Sequence, residues 1–291
     1  MKYLCQLLLA GLLLVAWPIR SQRAPAELRV ITYNLRSGQG YGESDEQTRR
    51  ERFSLIGRTM RQYRPDVLVI QEPGSDPNDY AALVEALGSN YRHRVLKCPD
   101  YAESKRVGLL VYRTPVVIDS IDVCIQGEPA NANTLFNHWA RVSLNFRGTT
   151  LVVYGFKLAP REQADKRRRQ IDLLEPYLRQ DLAQQRSIIV AGDLNHLPSA
   201  PEYQRWKRMG LVDTYDAQAQ GNGFTKMDEL GDDPLVPYRR IDYLLVSPNL
   251  ATHLVGSSRT LSEGVLVPAP PRRRWSLSDH LPVLAVFALP E

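Results

Sequence analysis

The chain has 291 residues, 43% of them apolar and 24% charged, with a formal charge of +5. That balance is ordinary for a globular protein and excludes a disordered, collagen-like or multi-span membrane chain. Lys2, Arg20 and Arg23 all precede the first acidic residue, Glu27, so a chain starting there carries only +2. Net charge then says little about partners, and local clusters matter more.

Residues 1–26 stand apart. Met1-Lys2 gives a positive start and Leu4 to Trp17 is almost wholly apolar, the pattern of a secretory signal. Ala24-Pro25-Ala26 has the small-x-small form of a cleavage site, but it lies well past the apolar run. The segment therefore reads as a signal peptide, or else as an N-terminal membrane anchor. It predicts an exported protein, periplasmic or secreted, whose residues 27–291 form one domain. Beyond Cys5, the chain keeps Cys98 and Cys124. In an oxidising compartment these form one disulfide or stay as two buried thiols, since sequence cannot place their Cα atoms.

In chain order, Leu28 to Asn34 reads as a strand running into a loop with Ser37-Gly38-Gln39-Gly40. Phe53, Ile56 and Met60 recur at helical spacing within residues 46–63, and Pro65-Asp66 ends that helix. Val67 to Ile70 is a buried strand with Gln71-Glu72 at its end, and Asp79 to Leu87 is a second helix. Five strand-like runs follow: 92–96, 107–112, 116–121, 139–146 and 151–156. A long basic helix spans residues 161–182, then Ser187 to Ala191 forms a strand leading into Gly192-Asp193-Leu194-Asn195. Ile241 to Ser247 and Pro282 to Leu289 complete the set. Strands outnumber helices, and helices separate only some of them, which predicts mixed sheets flanked by helices.

Asn34, Glu72, Asp193, Asn195, Asp242 and the pair Asp279-His280 all fall at the ends of apolar strands. Taken singly, each is explained as a turn residue or a solvated acid. Together they describe a cleft at one end of a rigid sheet. Five segments in order, Thr32-Tyr33-Asn34-Leu35, Pro65 to Glu72, Gly192 to Asn195, Arg240 to Tyr243 and Ser278-Asp279-His280, resemble the endonuclease/exonuclease/phosphatase superfamily. They span nearly all of residues 27–291.

The resemblance implies a four-layer α/β sandwich, two mixed β-sheets packed face to face with helices on the outside. It also implies a Mg²⁺-dependent phosphoester hydrolase, with Mn²⁺ or Ca²⁺ as alternative ions. Mg²⁺ takes oxygen ligands, which the resemblance assigns to Glu72, with Asn34 and Asp279 completing the set. Asp193 becomes the base for the attacking water, Asn195 its holder, and His280 the contact to the scissile phosphate, with Asp242 fixing the imidazole. One departure matters. Where many members carry Asn-x-His-Leu, this chain has Gly155-Phe156-Lys157-Leu158, so a lysine stands in the place of a histidine. Lys157 is expected to offer the phosphate a point charge.

Two basic clusters remain. Lys166 to Arg169 on the long helix reads as a solvated face. Arg272 to Arg274 with Trp275, after the stiff Pro268 to Pro271 stretch, could grip a nucleic-acid backbone and stack a base. It could equally hold a phospholipid headgroup, or be a surface loop with a packed tryptophan. Nucleic acid is the first choice of substrate, a phospholipid or small phosphodiester the second, and a silent binding protein on the same scaffold the third. A monomer is expected.

Overall fold

The uninterrupted apolar runs form strands buried on both faces, because each sheet is covered on one side by helices and on the other by its partner sheet. The computed structural model describes residues 25–42, 49–98, 107–124, 138–215, 222–227, 235–269 and 273–290. The anticipated leader or anchor lies, but for its last two residues, outside the described residues. Among the described residues no helix is long and apolar enough to cross a membrane.

The first half runs β1 (Ala26–Asn34), a 3-10 turn at Arg36–Gly38, β2 (Tyr41–Gly42), α1 (Arg49–Tyr63), β3 (Val67–Gln71), α2 (Pro77–Leu87) and β4 (Tyr91–Leu96). It continues with β5 (Gly108–Arg113), β6 (Val116–Asp122), β7 (Trp139–Phe146) and β8 (Thr149–Lys157). After a 3-10 turn at Arg161–Gln163 come α3 (Ala164–Ala183), β9 (Ser187–Asp193), α4 (Pro201–Arg208), β10 (Val212–Asp213), β11 (Lys226–Met227) and β12 (Pro237–Arg239). The last elements are β13 (Asp242–Val246), α5 (Pro248–Ala251), β14 (Arg259–Thr260), β15 (Leu266–Ala269), β16 (Arg273–Ser276) and β17 (Val283–Leu289).

Two six-stranded sheets result, ordered β14-β17-β1-β3-β5-β4 and β10-β13-β9-β8-β7-β6. The pairs β1–β3 and β8–β9 are parallel, and the other pairs in these sheets are antiparallel. Phe53, Ile56 and Met60 of α1 and Leu83 of α2 cover the outer face of the first sheet at Ile31, Tyr33, Leu68 and Ile70. Ile171, Leu174 and Leu178 of α3 and Trp206 of α4 cover the second at Tyr154, Phe156, Ile188 and Val190. Between the sheets, Val30, Val69 and Phe287 meet Val142, Leu144, Val153, Ile189 and Leu244. This is the four-layer sandwich the resemblance implied. Each fully buried aliphatic or aromatic side chain contributes about 1.5–3 kcal/mol.

Two features fix how the sheets meet. A Cβ on Gly155 would lie 2.8 Å from Val69 Cγ1, so the absence of a side chain there lets the sheets close just beneath Lys157. At the far edge, Cys98 after β4 and Cys124 after β6 form a disulfide with a Cα–Cα distance of 5.1 Å. It joins the edge strand of one sheet to the edge strand of the other, deciding between the two states the sequence left open.

Three sequence expectations are corrected. Trp275 neither stacks on a ligand nor meets a lipid surface: it is 3% exposed and belongs to the apolar cluster beneath α1 and α2. The stretch around Pro268 is one strand of a hairpin, with Arg274 opposite Pro268, and the Arg274 side chain lies outside the described residues. In the basic helix, Arg168 and Arg169 are exposed but Arg167 is buried. Its guanidinium pairs with Glu202 at 3.0 Å and donates to the carbonyls of Ala159 and Pro160, pinning the β8–α3 connection.

Candidate active site

Because β8, β9 and β13 are neighbours in register, Lys157 sits opposite Asp193, and Asp193 opposite Asp242, along the end of the second sheet. Across from them the first sheet presents Asn34 at the end of β1, Glu72 just past β3, and His280 ahead of β17. The two sets meet in a cavity of about 360 Å³ lined by Glu72, Lys157, Asp193, Asn195, Asp279 and His280. Arg36, Lys226 and Arg239 also face it. That is the size of a small-ligand pocket.

His280 Nδ1 and Asp242 Oδ2 are 2.9 Å apart, and the same carboxylate oxygen accepts the Thr225 hydroxyl at 2.6 Å. His280 Nε2 then faces inward, 4.0 Å from Asp193 Oδ2 and 3.8 Å from Asp279 Oδ1. Burial alone would lower the His280 pKa. The charge of Asp242, the hydrogen bond between them, and the charges of Asp193 and Asp279 outweigh it and raise the pKa above its usual 6.5. Burial acts oppositely on Asp242, raising its carboxyl against the lowering charge and hydrogen bond of His280.

Asp193 is fully buried apart from the cleft. Its Oδ1 accepts the backbone N–H of Asn195 at 3.1 Å and its Oδ2 accepts Asn34 Nδ2 at 3.1 Å. Asn195 donates its side-chain amide to the Leu158 carbonyl at 2.9 Å. Asn34 Nδ2 also reaches Glu72 Oε1 at 3.3 Å, while its Oδ1 accepts the Arg36 backbone N–H at 3.0 Å. The amide thus turns its donors toward the two carboxylates. Lys157 Nζ pairs with Glu72 Oε1 and lies 3.5 Å from Asp193 Oδ2. Glu72 and Asn195 have left-handed backbones, with φ of 49° and 52°. Strained φ angles in non-glycine residues gather where geometry is held for function.

Asp279 pairs with Lys226 Nζ and, at 3.6 Å, with Arg36 Nε. Burial would raise its carboxyl, but His280, Lys226 and Arg36 together bring it below the usual range. The sequence reading missed Thr225 and Lys226. They lie in a short segment with no periodicity, yet Met227 N–H donates to the Asp279 carbonyl and Leu281 N–H to the Thr225 carbonyl. That segment clamps the Ser278–His280 turn in place. His138 was missed too. It is buried beside Gly108, its Nε2 makes no hydrogen bond, and burial lowers its pKa to about 4 against the raising charge of Asp193.

A divalent ion fits this donor set. The carboxylates of Glu72 and Asp193 already accommodate a cation, the Lys157 ammonium, between them. Oxygen donors of this kind suit Mg²⁺. Ligand atoms of Asp193, Asp242 and His280 also lie within 4.8 Å of one another. Asp242 Oδ2, however, is already engaged by the Thr225 hydroxyl and by His280 Nδ1.

No curated protein matches the chain by sequence. Solved structures do match its fold. An endonuclease/exonuclease/phosphatase from Bacteroides vulgatus superposes with a TM-score of 0.65 at 16% identity, covering 91% of this chain and 99% of its own. A mannosyl-6-phosphatase from Bacteroides thetaiotaomicron gives 0.64 at 16% identity, covering 89% and 98%. Truncated TDP2 from Caenorhabditis elegans gives 0.61 at 17% identity, covering 90% and 98%. The model of the Endonuclease/Exonuclease/phosphatase family matches residues 31–280, from the middle of β1 to the buried histidine. With both sheets, the carboxylates and the Asp242–His280 pair in place, the chain belongs to the endonuclease/exonuclease/phosphatase family and is a phosphoester hydrolase.

Proposed function

We propose that the chain is a divalent-metal-dependent phosphodiesterase that cleaves by in-line attack of water, with nucleic acid as the first substrate to test. The observation that carries this reading is the convergence of Asp193 Oδ2 and His280 Nε2, 4.0 Å apart, on one open cleft. Asp193 takes a proton from the water. The water oxygen forms the new bond to phosphorus while the bond to the leaving oxygen breaks, and that oxygen is protonated by solvent. His280, kept cationic by Asp242, donates to a non-bridging phosphate oxygen. Asn195 fixes the Asp193 carboxylate through its backbone N–H. Glu72 would hold the ion, with Asp279 and Asn34 nearby; the ion, most suitably Mg²⁺, would polarise the phosphate.

A second reading, a small polar phosphoester, is favoured by the modest volume of the cleft and by the lack of Tyr, Phe or Trp among the described residues of its wall. With Trp275 in the core, no stacking platform for a base remains among the described cleft residues. The basic walls at Arg36, Lys226 and Arg239 suit either anionic substrate.

We read residues 1–26 as an export signal or anchor and the protein as a monomer. The Cys98–Cys124 bond supports export, since such bonds persist in oxidising compartments.

The deciding experiment is Mg²⁺-dependent nicking of supercoiled plasmid, run beside phosphate release from small sugar phosphates and phosphodiesters. Asp193→Ala and chelator controls accompany both. Nicking lost in both controls is the expected result. Turnover of small esters alone would move the substrate to the second reading. Turnover unaffected by Asp193→Ala would remove Asp193 from the mechanism.

A further inference from the structure

Lys157 stands where the resemblance places a histidine in many members, and the structure shows where its side chain goes. The ammonium lies against Glu72 Oε1 and 3.5 Å from Asp193 Oδ2, inside the carboxylate pair. Its side chain is 14% exposed and that of Asp193 only 1%, while Glu72, at 31%, faces the cleft from which an ion arrives. Three constraints put it there. Strand register sets Lys157 beside Asp193, Gly155 two residues earlier lets the opposite sheet come close, and Asn34 holds both carboxylates from the other side.

From this we propose that Lys157 is a resident cation of the metal seat, which an incoming divalent ion must displace from Glu72. The inference rests on the reading of Glu72 as the principal ligand. Two cations cannot share one carboxylate oxygen without repulsion that grows as they approach, and burial weakens the screening. An ion arriving at Glu72 therefore does so only when the ammonium swings out on its four-carbon stem. While it lies against Glu72 the lysine offsets one of the two negative charges of Glu72 and Asp193, and once displaced it is free to meet a phosphate oxygen. Metal loading is weakened by that competition, and the free enzyme holds its ion more loosely than a chain with a neutral side chain at position 157.

The test is direct metal binding to the full chain, read by calorimetry with Mg²⁺ and by the paramagnetic signal of free Mn²⁺, without substrate. Lys157→Met keeps the length and removes the charge; Lys157→Gln is the second variant, should the first fail to fold by circular dichroism. Both are expected to bind the ion about tenfold or more tightly than the unsubstituted chain, given a unit charge removed within a few ångströms of the ion. Glu72→Gln is expected to abolish saturable binding. Unchanged or weaker affinity in the folded Lys157 variants, with binding still lost in Glu72→Gln, would overturn the resident-cation proposal and leave the ligand assignment standing. Full affinity in Glu72→Gln would overturn the ligand assignment itself.

Discussion

Asp242 never faces the cleft, yet it decides the charge of the group that does. Replacing it with Asn keeps the shape, removes the negative partner of His280, and leaves the Thr225 hydroxyl a neutral acceptor. The expected outcome is a fall in turnover of about 10²–10⁴-fold with a thermal midpoint close to that of the parent. Initial-rate kinetics beside a melting curve check both halves. His138 and His196 behave oppositely to His280. Burial, the largest influence on each, brings both down to about 4 from 6.5. His196 Nε2 also accepts the Trp206 indole N–H at 2.9 Å, which a proton there would break. The folded protein thus binds fewer protons than the unfolded chain between those values. Stability is full above about pH 6.5 and falls as pH drops toward 4, by about 1.4 kcal/mol per pH unit for each histidine. Urea midpoints across that window should show the slope, and His138→Gln or His196→Gln should flatten it. Neither histidine stood out in the sequence, because a lone histidine beside a strand carries no signal of its burial. By contrast Glu72, Asp193, Asp242 and His280 were legible. Each ends or adjoins an apolar run, and only a sheet edge brings such residues together.

At the level of elements, the runs of Val, Ile and Leu identified the central strands to within a residue or two, since no other short element buries both faces. Helix α4 went unread. Proline opens it at Pro201, and only Trp206 supplies a large apolar anchor in its eight residues. The hairpin β15–β16 was read as a stiff loop because its prolines masked a two-stranded pattern, and of the roles that reading left open for Trp275 only the packed side chain agrees with the structure. Close approach between elements is equally invisible in sequence. Gly155 looks like a missing polar residue when set against the family pattern, yet in space it is the point where the sheets touch. Gly155→Ala should therefore cost about 1–3 kcal/mol by overpacking against Val69. Denaturant titration would measure that loss; an unchanged midpoint would show that Val69 simply rotates away.

Across the whole molecule, the site belongs to neither sheet. Asn34, Glu72 and His280 come from one, and Lys157, Asp193 and Asp242 from the other. The distances between them depend on sheets held by the apolar interface and, at one edge, by the Cys98–Cys124 bond. Replacing both cysteines with Ala frees a 26-residue separation and should lower stability by about 3 kcal/mol. A thermal midpoint equally insensitive to the double substitution and to reductant would argue against that bond carrying load. The order of strands has one further consequence. In the first sheet, β17 lies between β14 and β1, so the strand opening at Ala26 waits for residues 283–289 before its antiparallel neighbour exists. His280 leads directly into that strand. A chain that lacks residues 280–289 therefore has neither the antiparallel neighbour of β1 nor the imidazole that faces Asp193, so pairing of the first strand and completion of the cleft arrive together.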